Sequence, residues 1–448
     1  MHPPFQRHPQ KQRGAVLVMV VLAMLVLLAL VGLIVDGGLA YLVKARLNAA
    51  VDSAALAGAR AVPAGKNESE QRASAIKAAA TFFAANIPEN YLMSRPKLLS
   101  TKVSFDKGQV TVDVHAEAPM PVSVMQLMGF TSLNPVAYAQ TIRKDLDMAF
   151  VVDTSGSLST SAAAVRASAK SFLNKFSVEQ DRVGLIHFAS GAIVDNPIII
   201  GDRGFDRNAM VSKIDGFKFV GNTASVEGMW HARNELNKIP LLSRSSLRVI
   251  VFFSDGAPTA FGSALKFNNP ADCTRPGVLA HNDEAPSGLY ELGMQDTLIT
   301  SGCSAVSNKK IRTTVKGLPD WYDAHDNKKE FPIVTAGPRE VTASLASDTE
   351  AWRNITRAAR NLPEAVAARA RDEGIYVFTL GMGQLKSKTG FDKEIGENVL
   401  KCMANVADAP ARCYDPDKPV GMYCYAATSA DLTPCFSRLA SAILRISK

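Results

Sequence analysis

Five oxygen-bearing side chains, Asp153, Ser155, Ser157, Thr223 and Asp255, stand at the edges of short structured runs in the middle of the sequence. Met148 to Val152 is an unbroken apolar run ending in two β-branched residues, the pattern of a strand buried on both faces. It stops at Asp153, and alternate residues of the next turn, Ser155 and Ser157, add two hydroxyls at the strand's carboxyl end. Gly221-Asn222-Thr223 opens a helical segment with a third hydroxyl, and Val249 to Phe253 is a second buried-type strand followed by Ser254-Asp255-Gly256. Oxygen-only donors suit a hard divalent cation, Mg2+ first, with Mn2+ or Ca2+ as alternatives. Open α/β sheets bind ligands at the carboxyl ends of their strands. Alone, Asp-x-Ser-x-Ser reads equally as a polar turn after a core strand. The two later stretches change that reading.

Two carboxylates and three neutral hydroxyls offer five side-chain oxygens and can leave a position open on a six-coordinate cation. An Asp or Glu from another protein could complete the shell. The set therefore suits gripping a partner's acidic side chain better than caging a structural ion. The order Asp-x-Ser-x-Ser, Thr, Asp resembles the metal-ion-dependent adhesion site (MIDAS) of the von Willebrand factor type A domain. The resemblance implies that Ser155, Ser157 and Thr223 touch the metal directly or nearly so, with Asp153 and Asp255 acting largely through bound water.

No general base sits in these motifs, so the expectation is a binding protein and not an enzyme. Asp153-Thr-Ser-Gly differs from an aspartic protease Asp-Thr-Gly by Ser155, and Ser254-Asp255-Gly256 is no second copy. A haloacid-dehalogenase phosphatase would want Asp where Ser155 stands. Gly-x-Ser-x-Gly and His-Glu-x-x-His are both missing from the sequence. His187 falls on a core strand, and Gly381-Met382-Gly383 is too short to cradle phosphate.

The chain has 448 residues, 47% hydrophobic and 21% charged, which is ordinary globular composition and room for two or more units. A formal charge of +8 is spread thinly, in short clusters such as Lys309-Lys310 and Lys328-Lys329, and no nucleic-acid motif accompanies it. The six cysteines, Cys273, Cys303, Cys402, Cys413, Cys424 and Cys435, include no Cys-x-x-Cys pair, which disfavours zinc and favours extracytoplasmic disulfides. Neighbour pairing is the expectation, among about fifteen connectivities that six cysteines allow.

Residues 1–14 read as a basic cytoplasmic tail with Arg7, Lys11 and Arg13 and no acid. Ala15 to Val35 is uncharged and almost wholly apolar, long enough at helical rise to cross a bilayer once. Its length favours a retained anchor over a cleaved signal, and the basic flank places the amino terminus in the cytoplasm. The expected location is therefore the inner membrane, single-pass, with the bulk periplasmic. Asp36-Gly37-Gly38 closes the span, and an Ala-rich helix is expected over 39–62. Gln12-Arg13-Gly14, the span closed by Asp36, and the run Arg46 to Ala59 together resemble the amino-terminal region of TadE/TadG-like proteins of the Tad (Flp pilus) secretion system. Small residues at helical spacing would let this helix pack closely on another, as in pilin-like stalks. Gly14 before the apolar run raises prepilin-type processing, but processed pilins usually carry an acid a few residues in, and Ala15 to Met19 has none.

A small α+β module fills the rest of 37–145. Pro63 to Asn67 breaks the chain, Glu68 to Asn86 reads as a helix, and two alternating runs around Asp106-Lys107-Gly108 read as a hairpin. A helix over Met120 to Met128 and a strand over Val136 to Arg143 follow. Asn67-Glu68-Ser69 is a chance glycosylation match.

From 146 to 446 strands and helices alternate, which implies a doubly wound, mostly parallel α/β sheet of the type A kind. Strands are expected at Arg182 to Phe188, Ala192 to Ile200, Arg248 to Phe253 and Ile375 to Leu380. Helices are expected over Ser161 to Phe176, Asp206 to Ile214, Ala224 to Asn237, 350–372 with a break at Pro363, and Ala430 to Ile446. Two long insertions, about 258–348 and 384–420, interrupt the pattern and read as disulfide-pinned loops that shape partner choice. The first leaves the sheet directly after Asp255 and should lie over or beside the metal. The whole reads as a membrane-anchored protein that uses a divalent cation to hold an acidic residue of a pilus or secretion-system component. The alternative is a minor-pilin-like or stalk component in which the site is vestigial.

Overall fold

In the computed structural model, residues 15–446 are described, apart from 63–67, 107–108, 145, 202, 246, 269–272, 283–284, 301–302, 304–310, 327–328 and 338. The basic tail, Gln12-Arg13-Gly14, the break at 63–67 and the hairpin turn at 107–108 therefore lie wholly or largely outside the described residues. Two compact units divide the chain, Met1–Asp106 with Val110–Arg143 and Lys107–Gln109 with Lys144–Lys448.

The first unit is built on a single helix, Ala15–Ala61. The helix runs on through Asp36-Gly37-Gly38, so the apolar span and the expected Ala-rich helix over 39–62 are one helix. Each glycine costs a helix interior about 1 kcal/mol relative to Ala, but a run this apolar on one side and this well packed on the other carries the helix through. The large apolar side chains from Val16 to Val35 are mostly exposed, so this half is long and apolar enough to cross a bilayer. From Val43 onward the helix is packed, with Val43, Leu47, Ala50, Val51 and Ala54 fully buried. Its small residues find their partner within the chain: a Cβ on Gly58 would lie 3.2 Å from Ala75 O and 3.1 Å from Val112 Cγ1. Ala75 and Ala79 belong to the second helix, Glu68–Asn86, and Val112 to the sheet of Lys97–Asp106, Gln109–Glu117 and Val136–Lys144. The helix expected over Met120 to Met128 is instead a two-residue strand, Met120–Pro121, followed by a single 3-10 turn, Met125–Met128. Pro119 and Pro121 withhold two amide donors there.

The second unit carries a six-stranded sheet in the order Tyr423–Ala426, Ile375–Met382, Leu247–Ser254, Leu146–Asp153, Arg182–Phe188, Ala192–Asn196. The first five are parallel and the last is antiparallel. That edge strand stops at Asn196, short of the expected Ile200, because Pro197 cannot continue the ladder. Every residue of Leu146–Asp153 is buried. Met148, Phe150 and Val152 meet Val165, Phe172, Phe436 and Leu439 on one face, while Ala149 and Val151 meet Met229, Leu236 and Ile355 on the other. The helices that cover these faces include Ala162–Leu173, Leu432–Ile446, Ser225–Lys238 and Asp348–Asp372. The last runs unbroken through a buried Pro363, where a break was expected. Arg207–Asp215 is capped by Asp206, whose side chain accepts from Ala209 N at 2.9 Å. Asp206→Ala is expected to cost about 1 kcal/mol, read as a lower urea midpoint with an unchanged slope.

Among the described residues, both insertions contain regular structure. The first folds into an antiparallel sheet of Ala260–Lys266, Thr274–His281 and Pro286–Tyr290, plus the pair Trp321–Tyr322 and Phe331–Pro332. Its Phe261, Leu265, Leu279 and Tyr322 join the same core as Met229 and Ile355. The second contributes the helix Glu397–Ala404, with Val399, Leu400 and Met403 in that core. The cysteines pair as neighbours: Cys273–Cys303, Cys402–Cys413 and Cys424–Cys435, with Cα separations of 5.6, 5.3 and 5.7 Å.

Candidate functional site

Parallel pairing sets the site. The register that places Val152 opposite Phe253 brings the ends of two central strands side by side, with Asp153 beyond one and Ser254-Asp255 beyond the other. The carboxylate of Asp153 is fully buried and accepts from Ser155 N at 2.8 Å through Oδ1 and from Ser254 Oγ at 2.6 Å through Oδ2. Ser155 Oγ lies 3.1 Å from Ser157 Oγ, and Ser157 Oγ donates to Asp255 Oδ1 at 2.9 Å. Four of the five expected residues thus form one hydrogen-bonded chain.

Thr223 comes from a third segment that leans on the first. Val220 N donates to Thr154 O at 3.0 Å and Gly156 N to Gly221 O at 3.1 Å. Gly221 has φ +86° and no room for a side chain, since a Cβ there would meet Ser190 Oγ and Asp296 Oδ1 at 2.7 Å. The Thr223 backbone exchanges hydrogen bonds with Thr259, at 3.0 Å to Oγ1 and 3.0 Å from its N. Its hydroxyl faces the turn after Asp255, 3.8 Å from where a Cβ on Gly256 would stand.

Burial pushes the Asp153 carboxyl up to about 6, against the pull of hydrogen bonds from Ser155 and Ser254. Asp255 is pushed up to about 7, by burial first and by the charge of Asp153 second. No basic side chain is among the main influences on either group. Two carboxylates, Asp153 buried and Asp255 half-buried, with hydroxyls between them form a donor set that a divalent cation fits. Among the described residues no group of three or more His, Cys, Asp and Glu side chains is arranged to hold a metal ion. The candidate set has only two acids and relies on hydroxyls for the rest. His187 is buried and its Nδ1 lies 2.6 Å from Asp195 Oδ2.

The first insertion does reach the site. Gln295 O accepts from Ser190 N and Gly191 N at 2.9 and 3.2 Å, and Gln295 Nε2 donates to Thr154 Oγ1 at 3.0 Å. Ser190 Oγ donates to Asp296 Oδ1 at 2.6 Å and accepts from Asn222 N at 2.9 Å. Leu292 to Asp296 therefore brace the two loops that carry Ser155 and Thr223. Sequence reasoning missed Ser254, Ser190, Gln295 and Asp296. Only Ser254 had a local signal, its place beside Asp255.

Residues 14–61 match the family described as putative Flp pilus-assembly TadE/G-like, and residues 148–257 match the von Willebrand factor type A domain. The chain thus carries a TadE/G-like amino-terminal segment and a type A domain. No curated protein matches it significantly. Among solved structures, the pilus adhesin SpaC of Lactobacillus rhamnosus GG aligns over 78% of this chain and 35% of its own, at 17% identity and TM-score 0.38. This chain therefore spans about a third of that adhesin. The PilB minor pilin of Streptococcus sanguinis aligns over 80% of each chain at 13% identity and TM-score 0.36. The von Willebrand factor domain of the type V pili tip protein Mfa5 of Porphyromonas gingivalis aligns over 69% of this chain and 98% of its own, at 14% identity and TM-score 0.37.

Proposed function

We propose that this chain is a membrane-anchored, adhesion-type component of Flp/Tad pilus assembly that holds a protein partner through a divalent cation. The TadE/G-like segment supports the pilus setting. The three disulfides support an oxidising compartment, and the exposed apolar half of the first helix supports a single crossing of the inner membrane with the bulk periplasmic. One observation carries the cation dependence: Asp153, Ser155, Ser157 and Asp255 meet in one hydrogen-bonded chain at the ends of two adjacent parallel strands. Ser155, Ser157 and Thr223 would hold the ion, and Asp153 and Asp255 would orient them and balance its charge. The ion, Mg2+ before Mn2+ or Ca2+, would supply an electrophilic point for an Asp or Glu of a pilus or secretion-system protein.

The test is capture of binding proteins from solubilised membranes by the full chain, in Mg2+ or in EDTA, beside Asp153→Ala. A partner retained in Mg2+, released by EDTA and lost with Asp153→Ala at normal protein level and membrane location is the expected result. A partner retained equally in all three would overturn cation dependence and leave the stalk role.

A further inference from the structure

The segment Val122–Phe130 hangs on the last turns of the apolar helix, held there by contacts that no pilus or metal role uses. Asp36 Oδ2 accepts from Val124 N at 2.9 Å and Met125 N at 2.7 Å, and Oδ1 accepts from Ser123 N at 3.1 Å. Asp36 is 1% exposed. One turn earlier, Gly32 admits the same segment: a Cβ there would stand 3.1 Å from Val124 Cγ1 and 3.3 Å from Met125 N. At helical rise, Gly32 lies about 6 Å before Asp36 along the helix axis. The loop is therefore seated beside the end of the exposed apolar stretch, not above it. Further along, Lys44 Nζ donates to Val136 O, which ties the returning chain to the same helix.

What the loop presents there is apolar. Met128 is 51% and Phe130 48% exposed, and on the helix Leu33 and Ile34, which lie between Gly32 and Asp36 in sequence, are 59% and 72% exposed. From Ala118 to Ile142 the sequence contains no Asp, Glu, Lys or Arg at all. Part of that stretch is strand, Met120–Pro121, Ser132–Leu133 and the start of Val136–Lys144, but the exposed turn between them is uncharged too, which a surface loop in water has no reason to be. A loop resting at the boundary between headgroups and acyl chains does, because burying an unpaired charge there is costly.

We infer that the turn around Met125–Phe130 is a second membrane contact, dipping Met128 and Phe130 into the lipid interface beside the point where the helix leaves the bilayer. This rests on the proposed membrane crossing. Its effect is to fix the rotation and tilt of the packed half of the helix at the membrane surface, which one spanning helix alone leaves free.

The test uses the full chain in phosphatidylethanolamine–phosphatidylglycerol liposomes. Among the described residues every cysteine is in a disulfide, so Phe130→Cys or Met128→Cys can carry a single environment-sensitive fluorophore. Leu25→Cys reports on the span, and Leu241→Cys, at a position 77% exposed, serves as the water reference. Labels at 128 and 130 are expected to be quenched several-fold more by lipid with a shallow nitroxide than by aqueous iodide, and Asp36→Ala to reverse that preference. A label at 130 open to iodide while Leu25 reports lipid overturns the loop contact and leaves the anchor standing. Labels shielded from both quenchers mean a protein neighbour and also overturn it. Water exposure at Leu25 removes the anchor and this inference together. Lipid quenching unchanged by Asp36→Ala overturns the role given to Asp36.

Discussion

With EDTA present, the unfolding temperature of the protein is expected to fall as pH rises from about 5 to about 8, and Mg2+ to restore it. Asp153 and Asp255 have an unfolded value of 3.8 and are raised in the fold to about 6 and about 7. The folded state therefore binds more protons than the unfolded chain between those limits. The stabilisation is fully present below the unfolded value and is lost as pH climbs through the folded ones. At roughly 1.4 kcal/mol per pH unit, the part of this stabilisation lost above about pH 5 is on the order of 4 kcal/mol. At roughly 2–4 °C per kcal/mol for a large domain, that is a shift of roughly 10 °C. His231 acts in the opposite sense. Burial, then the charge of His325, lowers it to about 4, so its contribution is present above 6.5 and lost as pH falls.

Asp255→Asn separates the two effects. The amide oxygen can still accept from Ser157, but the repulsion with Asp153 is gone. The metal-free variant is expected to be more stable than the parent near pH 8 and to gain nothing from Mg2+. A parent whose unfolding temperature is the same in EDTA and Mg2+ near pH 8 would rule out a cation at this site. A variant less stable than the parent in EDTA would show that the carboxylates do not oppose one another.

The part of the site nearest to sequence was the most legible. Met148 to Val152 could be read as a strand buried on both faces because a parallel strand in such a sheet has no wet face to break the apolar run. That strand fixed Asp153, and the matching run before Ser254 fixed Asp255. What was lost had its cause far away in the chain. The insertion after Asp255 looked like polar loop because its strands, such as Ala260–Lys266, are half glycine, alanine and serine. Their place in the core depends on Met229 and Ile355 and on no pattern of their own. The span and the Ala-rich helix after Gly37-Gly38 read as separate elements, because the packing of Val43 and Leu47 that carries one helix through is not visible in local propensity. Met120 to Met128 read as helix from its apolar spacing, although Asp36, more than eighty residues earlier, holds it as a turn.

Glu227 was invisible for the same reason, and its replacement is expected to have the largest effect on stability. A glutamate in the first turn of Ser225–Lys238 reads as a partner of the helix dipole facing water. Instead it is fully buried and accepts from His325 Nε2 at 2.7 Å, Tyr322 Oη at 3.0 Å and Gly262 N at 2.9 Å. Burial raises its pKa, but the charge and hydrogen bond of His325 outweigh that and hold the carboxyl below its ordinary value. All three donors belong to the first insertion, so one side chain rivets that insertion to the helix that begins just after Thr223. Removing one member of a buried charged network typically costs about 3–5 kcal/mol, because its partners are left unsatisfied. Glu227→Ala is therefore expected to lower the unfolding temperature by roughly 10 °C and to speed proteolysis within 258–348 ahead of the sheet. Glu227→Gln keeps the shape and acceptor but loses the charge, and should fall between the two. Because Leu292 to Asp296 brace the Ser155 and Thr223 loops, the alanine form is also expected to bind Mg2+ less tightly than its residual fold would allow. An unfolding temperature within about 2 °C of the parent, with no change in the cleavage pattern, would mean the insertion is held by its apolar core alone.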